Sequence, residues 1–250
     1  MWSGRRHRWN SLLAAVTLLL GTLPPAFAQD GLDQIIAIAR GGLFYDNWYE
    51  ALEIEAPSDT HPAYPSEGGQ SGAATWRCKE CHGWDYRGVD GAYGQGSHYT
   101  GIKGIRDTVG GDPASIAEII RNPQHGYSRE MLTDSAVEKL AAFVSRGQID
   151  MDQYIDRATK EASGSASGGF RQYRMVCSLC HGPNGKRLNF GTEDEPEFLG
   201  TIANDNPWEV LHKIRNGQPG VPMIALSGLS NLSVQHQVDI LAYTRTLPIE

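Results

Sequence analysis

The apolar positions of this chain recur at helical spacing rather than at strand spacing. Two stretches place apolar residues at i, i+3 and i+4, and the first continues to i+7. These residues are Val137, Leu140, Ala141 and Val144 in the first stretch, and Val238, Leu241 and Ala242 in the second. Sustained alternation of apolar and polar residues, the pattern of strands, is absent. The pattern predicts an all-α fold in which each of these helices buries one face.

The residues that precede these two helices also repeat. Asp112-Pro113 and Asn206-Pro207 each read as a helix N-cap followed by proline at the first helical position. The short helices that they open end in similar words, Ile-Ile-Arg-Asn at 119–122 and Lys-Ile-Arg-Asn at 213–216. A chain of 250 residues has room for two domains, and this ordered repeat predicts two.

The predicted domains span residues 67–147 and 169–250, and a polar linker rich in serine and glycine joins them at 148–168. An N-terminal extension at 29–66 has no counterpart in the repeat. It starts as an amphipathic helix and carries the aromatic residues Phe44, Tyr45, Trp48 and Tyr49. Two interpretations stay open: the extension wraps the first domain, or it is an exposed arm that docks to a partner protein.

The first 28 residues have the pattern of a secretory signal peptide. Arg5, Arg6 and Arg8 precede an apolar run from Leu12 to Leu20, and Ala-Phe-Ala at 26–28 is a small-residue cleavage site. The apolar run is roughly half the length of a membrane-spanning helix, and no later stretch could span a bilayer. We therefore predict a periplasmic or secreted protein that begins near Gln29, with no membrane span in the mature chain.

The charge of the mature chain restricts its partners. Removing residues 1–28 takes away three arginines and no acidic residue, so the formal net charge changes from −7 to −10. An acidic protein is not expected to bind nucleic acid. It is instead steered towards a partner protein that carries a basic docking patch.

All four cysteines lie in two Cys-x-x-Cys-His motifs, at residues 78–82 and 177–181. This motif is typical of covalent c-type heme attachment. Two thiols three positions apart can add to the two vinyl groups of one porphyrin, and the histidine that follows is then held as the proximal ligand of the iron. A zinc site, a redox-active thiol pair or a disulfide would leave both histidines unexplained, and zinc ribbons place their cysteine pairs much closer together.

The same five parts follow one another twice along the chain: heme motif, loop, Asx-Pro helix, ligand loop and terminal helix. In the order of these parts, residues 67–250 resemble class I cytochrome c domains. The resemblance implies two small helical domains that each bind one heme c. Cys78 and Cys81 would attach the first heme, with His82 as its proximal ligand. Cys177 and Cys180 would attach the second, with His181.

The loop at 217–223 resembles the methionine loop of the same family, which makes Met223 the predicted distal ligand of the second heme. Ile224 stands where the family usually has proline. For the first heme, Met131 is the predicted ligand because it follows Asn122 at nearly the distance at which Met223 follows Asn216. If positions are instead counted back from the start of the terminal helix, His125 lies closer than Met131 to the place that matches Met223. His98 is a third candidate. We expect the remaining histidines, His61, His212 and His236, to be surface or helix residues.

Two filled axial positions on each iron favour electron transfer over catalysis, and no cysteine is spare to act as a displaceable ligand. The predicted function is therefore the transfer of single electrons between respiratory redox partners, and not an enzymatic reaction. One alternative is the cytochrome subunit of a periplasmic dehydrogenase complex. Another is a heme enzyme, either a peroxidase or a sulfur-compound oxidoreductase.

Overall fold

A computed structural model describes residues 26–229 and 232–249, and this part of the chain is built from helices and loops. The helices are α1 (Ala26–Leu52), α2 (Cys78–His82), α3 (Pro113–Arg121), α4 (Asp134–Arg146), α5 (Ala166–Gln172), α6 (Ser178–His181), α7 (Leu199–Asp205), α8 (Pro207–Asn216) and α9 (Val234–Thr244). Within the described residues there is no β-strand, only two isolated β-bridges. The predicted all-α fold is confirmed. Most of the predicted signal peptide, residues 1–25, lies outside the described part, and residues 26–28 begin α1.

The predicted helix starts are present in the structure. The side chain of Asp112 accepts from the amides of Ala114 and Ser115 at the start of α3, and the side chain of Asn206 accepts from the amide of Glu209 at the start of α8. In both helices proline follows the cap, where no amide hydrogen is needed. The predicted apolar stripes are also buried, because Leu140 in α4 and Leu241 in α9 are inaccessible to solvent.

Two helix pairs approach each other closely at a glycine. A Cβ atom on Gly41 of α1 would collide with the carbonyl oxygen of Lys139 in α4, and a Cβ on Gly169 of α5 would collide with the carbonyl oxygen of Asp239 in α9. Glycine is the residue that allows backbones to approach so closely. Residues 29–66, which the sequence set apart from the repeat, thus supply a helix that packs on α4 as α5 packs on α9.

The aromatic cluster of the extension faces the interior. The cluster consists of Phe44, Tyr45, Trp48 and Tyr49, and all four side chains are buried. α1 is interrupted at Asn47, whose backbone is extended (φ −154°, ψ 95°), so that both segments of the helix contribute to the cluster. The extension therefore wraps the first repeat, as one of the two interpretations had it.

A single hydrophobic core runs through both repeats. His212 of α8 lies at its centre, with its ring centroid 5.7 Å from those of Tyr45 and Phe143 and 5.1 Å from that of Trp84. The segment predicted as a linker also contributes to this core, because Met151 and Ile155 are buried. The second repeat thus completes the packing of the first.

In the part of the chain that the structure covers, no helix is both long enough and apolar enough to cross a membrane.

Candidate functional site

The first Cys-x-x-Cys-His motif forms the short helix α2, which ends at Gly83. One helical turn brings residues at i, i+3 and i+4 to the same face, so Cys78, Cys81 and His82 project together. Gly83 adopts a φ of +77°, which only glycine takes up without strain. The hydroxyl of Tyr45 in α1 donates to the Gly83 carbonyl over 2.6 Å and fixes this turn to the core.

His82 is held in the tautomer that suits a metal ligand. Its Nδ1 lies 2.8 Å from the carbonyl oxygen of Lys103, which can only accept, so the proton resides on Nδ1. The lone pair of the ring is then on Nε2. Burial lowers the pKa of His82 to about 4, which keeps the ring neutral at physiological pH.

The two cysteines of this motif are half-buried and form no disulfide. Burial raises the pKa of Cys78 and that of Cys81 to about 12. Redox-active cysteines are thiolates with lowered pKa values, so this environment does not favour a redox-active thiol pair. Across the described residues, no three His, Cys, Asp or Glu side chains are grouped as a metal site would require.

His125 lies across from His82. The centroids of the two rings are 6.2 Å apart and their planes differ by 29°. The side-chain oxygen of Asn122 accepts from the amide of His125 over 3.0 Å and from its Nδ1 over 3.2 Å. As in His82, the ring proton is on Nδ1 and the lone pair is on Nε2. Burial and the nearby His61 lower the pKa of His125, against a hydrogen bond with the Ile119 backbone, which raises it.

Arg121 and His61 both donate hydrogen bonds to backbone carbonyls of the loop that carries His125. The Arg121 guanidinium donates to the carbonyls of Tyr127, Ser128 and Leu132. The Nδ1 of His61 accepts from the amide of Ala63 over 3.0 Å, so its Nε2 carries the proton and donates to the carbonyl of His125 over 2.8 Å. We expected His61 to be a surface or helix residue, but it is buried in a loop, and nothing in the local sequence marks this contact.

The other two candidates for the first heme have different surroundings. Met131 packs against the hydrophobic core, and its amide donates to the hydroxyl of Ser128. The Nδ1 of His98 lies 2.6 Å from a carboxylate oxygen of Glu80, and its ring stacks on Tyr93. Among the candidates, His125 is therefore the one with a ring facing His82.

Glu80, inside the first motif, is buried and ionised. Burial alone would raise its pKa, but the hydrogen bond with His98 and the ammonium of Lys79, 2.6 Å away, lower it to about 2. The ammonium of Lys79 also lies 5.2 Å from the ring centre of Trp84, close enough for a cation–π contact. Paired in this way, the buried charges of the motif hold α2 against the core.

The second motif continues directly from α5. One wide helical turn (Tyr173–Cys177) joins α5 to α6, which ends at Gly182 with a φ of +78°. The hydroxyl of Tyr173 donates to the Gly182 carbonyl over 2.7 Å, as that of Tyr45 does to Gly83. In each repeat a glycine of the helix contact, Gly41 or Gly169, is followed four positions later by the tyrosine that binds the end of the motif. This Gly-x-x-x-Tyr spacing is visible in the sequence but was not used in the predictions above.

His181 has different surroundings from His82. Its Nδ1 is buried and has no hydrogen-bond partner among the described residues, and its ring centroid lies 6.0 Å from that of Phe190. Burial lowers the pKa of His181. The ring is thus neutral, and its tautomer is not fixed by the protein in the way that Lys103 fixes that of His82.

Met223 lies in a loop that begins at Gly217. It lines a surface groove together with four residues of α1, and His181 is not among the lining residues. Those of α1 are Ile36, Ala39, Arg40 and Leu43. The loop thus meets α1, and the prediction that Met223 is a ligand of the second heme stays a prediction.

Large apolar side chains are exposed in the segments that carry the second motif and Met223. Met175 is 78% exposed and Leu179 is 74% exposed, and Phe190, Val221 and Ile224 are also exposed. Exposed apolar side chains that form one contiguous patch mark a surface that a ligand or a partner covers.

Comparison of the chain with protein-family models finds no match, and comparisons with curated proteins and with solved structures find none either.

Proposed function

We propose that this protein is a diheme c-type cytochrome that passes single electrons between redox partner proteins outside the cytoplasm. Cys78 and Cys81 attach one heme and Cys177 and Cys180 attach the other, with His82 and His181 as proximal ligands. The proposal rests on one observation above all. Each Cys-x-x-Cys-His motif ends a short helix at a glycine of positive φ, and the hydroxyl of a buried tyrosine that precedes the motif donates to the carbonyl of that glycine.

The residues around both motifs fit a heme. The neutral imidazole of His82, with its lone pair on Nε2, is the form that coordinates iron. Near the first motif, the hydroxyl of Tyr93 is buried and has no hydrogen-bond partner in the described part of the chain, and a propionate of a heme would supply an acceptor. At the second motif, a porphyrin would cover apolar side chains such as Leu179 and Phe190.

A bound heme would supply a one-electron couple at its iron. The hydrogen bond to the Lys103 carbonyl would hold the imidazole of His82 in one orientation towards that iron. The hydrogen bond from His82 to Lys103 also makes the ring more basic. A rigid site of this kind changes little between oxidation states, which suits electron transfer.

The buried aromatic cluster favours a carrier over a subunit that docks through its N-terminal arm. An arm of that kind needs exposed aromatic residues, whereas Tyr45 and Trp48 are almost completely inaccessible. The acidic charge of the mature chain would guide the carrier to a partner with a basic docking patch. Such guidance weakens as ionic strength rises.

The proposal is tested by the heme content of protein secreted from a host that attaches heme c. We expect two covalently bound hemes per chain by mass spectrometry and by the absorbance of the pyridine complex. The double substitution Cys78→Ala and Cys81→Ala should leave one heme, and Cys177→Ala with Cys180→Ala should leave the other.

Stopped-flow reduction supplies the functional readout. We expect each heme of the intact protein to be reduced and reoxidised reversibly, and the reaction with a basic redox protein to slow as salt is added. Secreted, folded protein without covalent heme would refute the proposal. Rapid turnover of peroxide or of a sulfur compound would move it to the heme-enzyme alternative.

A further inference from the structure

We infer that His125 is the second axial ligand of the first heme, and that His61 of the N-terminal extension positions it. This inference rests on the proposed function, because it names a ligand of a heme that the first motif would carry. It gives the first site two imidazoles, whereas the second site keeps the predicted pair of His181 and Met223.

The distance between the two rings carries the inference. Bonds from a metal to an imidazole nitrogen are about 2 Å long, so two axial imidazoles place their ring centres about 6 Å apart once the ring radii are added. The rings of His82 and His125 are 6.2 Å apart. Aromatic rings in a core can lie at a similar separation, so the hydrogen bonds of the rings must also be considered.

Those hydrogen bonds orient both rings as ligands. The Nδ1 of His82 faces the carbonyl of Lys103, and the Nδ1 of His125 faces the side-chain oxygen of Asn122. Each imidazole thus keeps its lone pair on Nε2. Metal-binding histidines are generally fixed by a hydrogen bond of this type on the other ring nitrogen. Met131, at the far end of the loop, packs against the core instead.

His61 belongs to a segment that only the first repeat contains. Tyr173 precedes Cys177 by four positions, but Tyr45 precedes Cys78 by 33, so the first repeat has 29 additional residues between the tyrosine and the motif. Within this insertion His61 uses both ring nitrogens, one to accept from Ala63 and the other to donate to the His125 carbonyl. Its ring also packs edge-on against Trp76, with the centroids 4.3 Å apart. The insertion therefore fixes the backbone at His125.

Two imidazoles give the iron a lower reduction potential than one imidazole and one thioether. The first heme would then be the electron entry site and the second heme the exit site. Electron transfer within the molecule would run downhill from the first repeat to the second.

The near-infrared magnetic circular dichroism and the electron paramagnetic resonance of the oxidised, intact protein test the ligand directly. We expect one bis-imidazole heme and one imidazole–thioether heme. His125→Met should convert the first heme to the thioether signature and raise its potential, and His125→Ala should make it high-spin. Met131→Leu is the matched control in the same loop and should leave both hemes unchanged.

Spectroelectrochemical titration then tests His61. His61→Ala should shift the potential and the ligand-field bands of the first heme alone, and His61→Gln, which keeps a donor for the His125 carbonyl, should restore them in part. Two imidazole–thioether hemes in the wild type, or a first heme altered by Met131→Leu, would overturn the inference while leaving a diheme cytochrome. Absence of covalent heme would instead refute the proposed function.

Discussion

At the scale of single residues, the role of each histidine depends on what its two ring nitrogens meet. His82 and His125 each have Nδ1 bound to an acceptor, the Lys103 carbonyl and the Asn122 side-chain oxygen respectively, which leaves the lone pair on Nε2. Both nitrogens of His212 are occupied, because Nδ1 accepts from the hydroxyl of Tyr86 over 2.9 Å and Nε2 donates to the carbonyl of Gly42 over 3.0 Å. His212 is therefore a structural residue, and its inaccessible ring must stay neutral.

His212 should make the stability of the protein depend on pH. Burial lowers its pKa from 6.5 to about 4, so between these values the unfolded chain binds a proton that the folded protein does not. The free energy of unfolding therefore falls as the pH drops from 6.5 to 4, and this residue accounts for roughly 3 kcal/mol of the fall. Urea unfolding of the wild type and of His212→Gln at several pH values measures the difference.

The variant His212→Gln retains one donor and one acceptor in the cavity, so we expect a modest loss of stability at pH 8 and a weaker dependence on pH. Measurements at pH 8, where histidine is neutral in both states, report the change in packing alone. Parallel pH profiles for the two proteins would show that His212 is protonated equally in the folded and unfolded states.

At the scale of helices, local signals predicted much of the structure. The caps at Asp112 and Asn206 begin α3 and α8 as expected, because a side chain that binds amides two or three positions later depends only on nearby sequence. The crossing of α1 with α4 was missed, because it depends on a close approach between residues about 100 positions apart in the chain. The contact between His61 and the His125 carbonyl was missed for the same reason. Composition likewise indicated a linker at 148–168, although Met151 and Ile155 fill part of the core.

The crossing of α1 with α4 gives a sharp test of its own. Gly41→Ala should reduce the free energy of unfolding by about 1–3 kcal/mol, because the new methyl group meets the backbone of Lys139. Gly31→Ala, in the same helix, has nothing within 4 Å of the new atom and is the matched control. We expect it to be neutral or slightly stabilising, since alanine favours helices. Equal effects of the two substitutions in chemical denaturation would contradict the proposed packing.

At the scale of the whole molecule, buried charge joins the extension, the first motif and the second repeat. Asp46 of α1 is completely buried and binds Arg77, next to the first motif, and the ammonium of Lys213 in α8, 2.8 Å away. Burial opposes ionisation, but Lys213 and Arg77 lower the pKa of Asp46 below its ordinary value. Together with the shared core around His212, this cluster means that neither repeat is packed completely without the other.

The whole described body should therefore unfold as one unit. Differential scanning calorimetry of the intact protein is expected to give a single transition whose calorimetric and van't Hoff enthalpies agree. Asp46→Asn should lower the midpoint of that single transition, because it leaves Arg77 and Lys213 without a buried counter-charge, at a cost of about 3–5 kcal/mol. The matched control is Asp134→Asn, which alters an exposed carboxylate that pairs with Arg121 and Arg129 and should leave the midpoint nearly unchanged. A shared core cannot lose one half and keep the other. Two resolved transitions, of which only one responds to Asp46→Asn, would therefore mean that the repeats unfold independently and share no core.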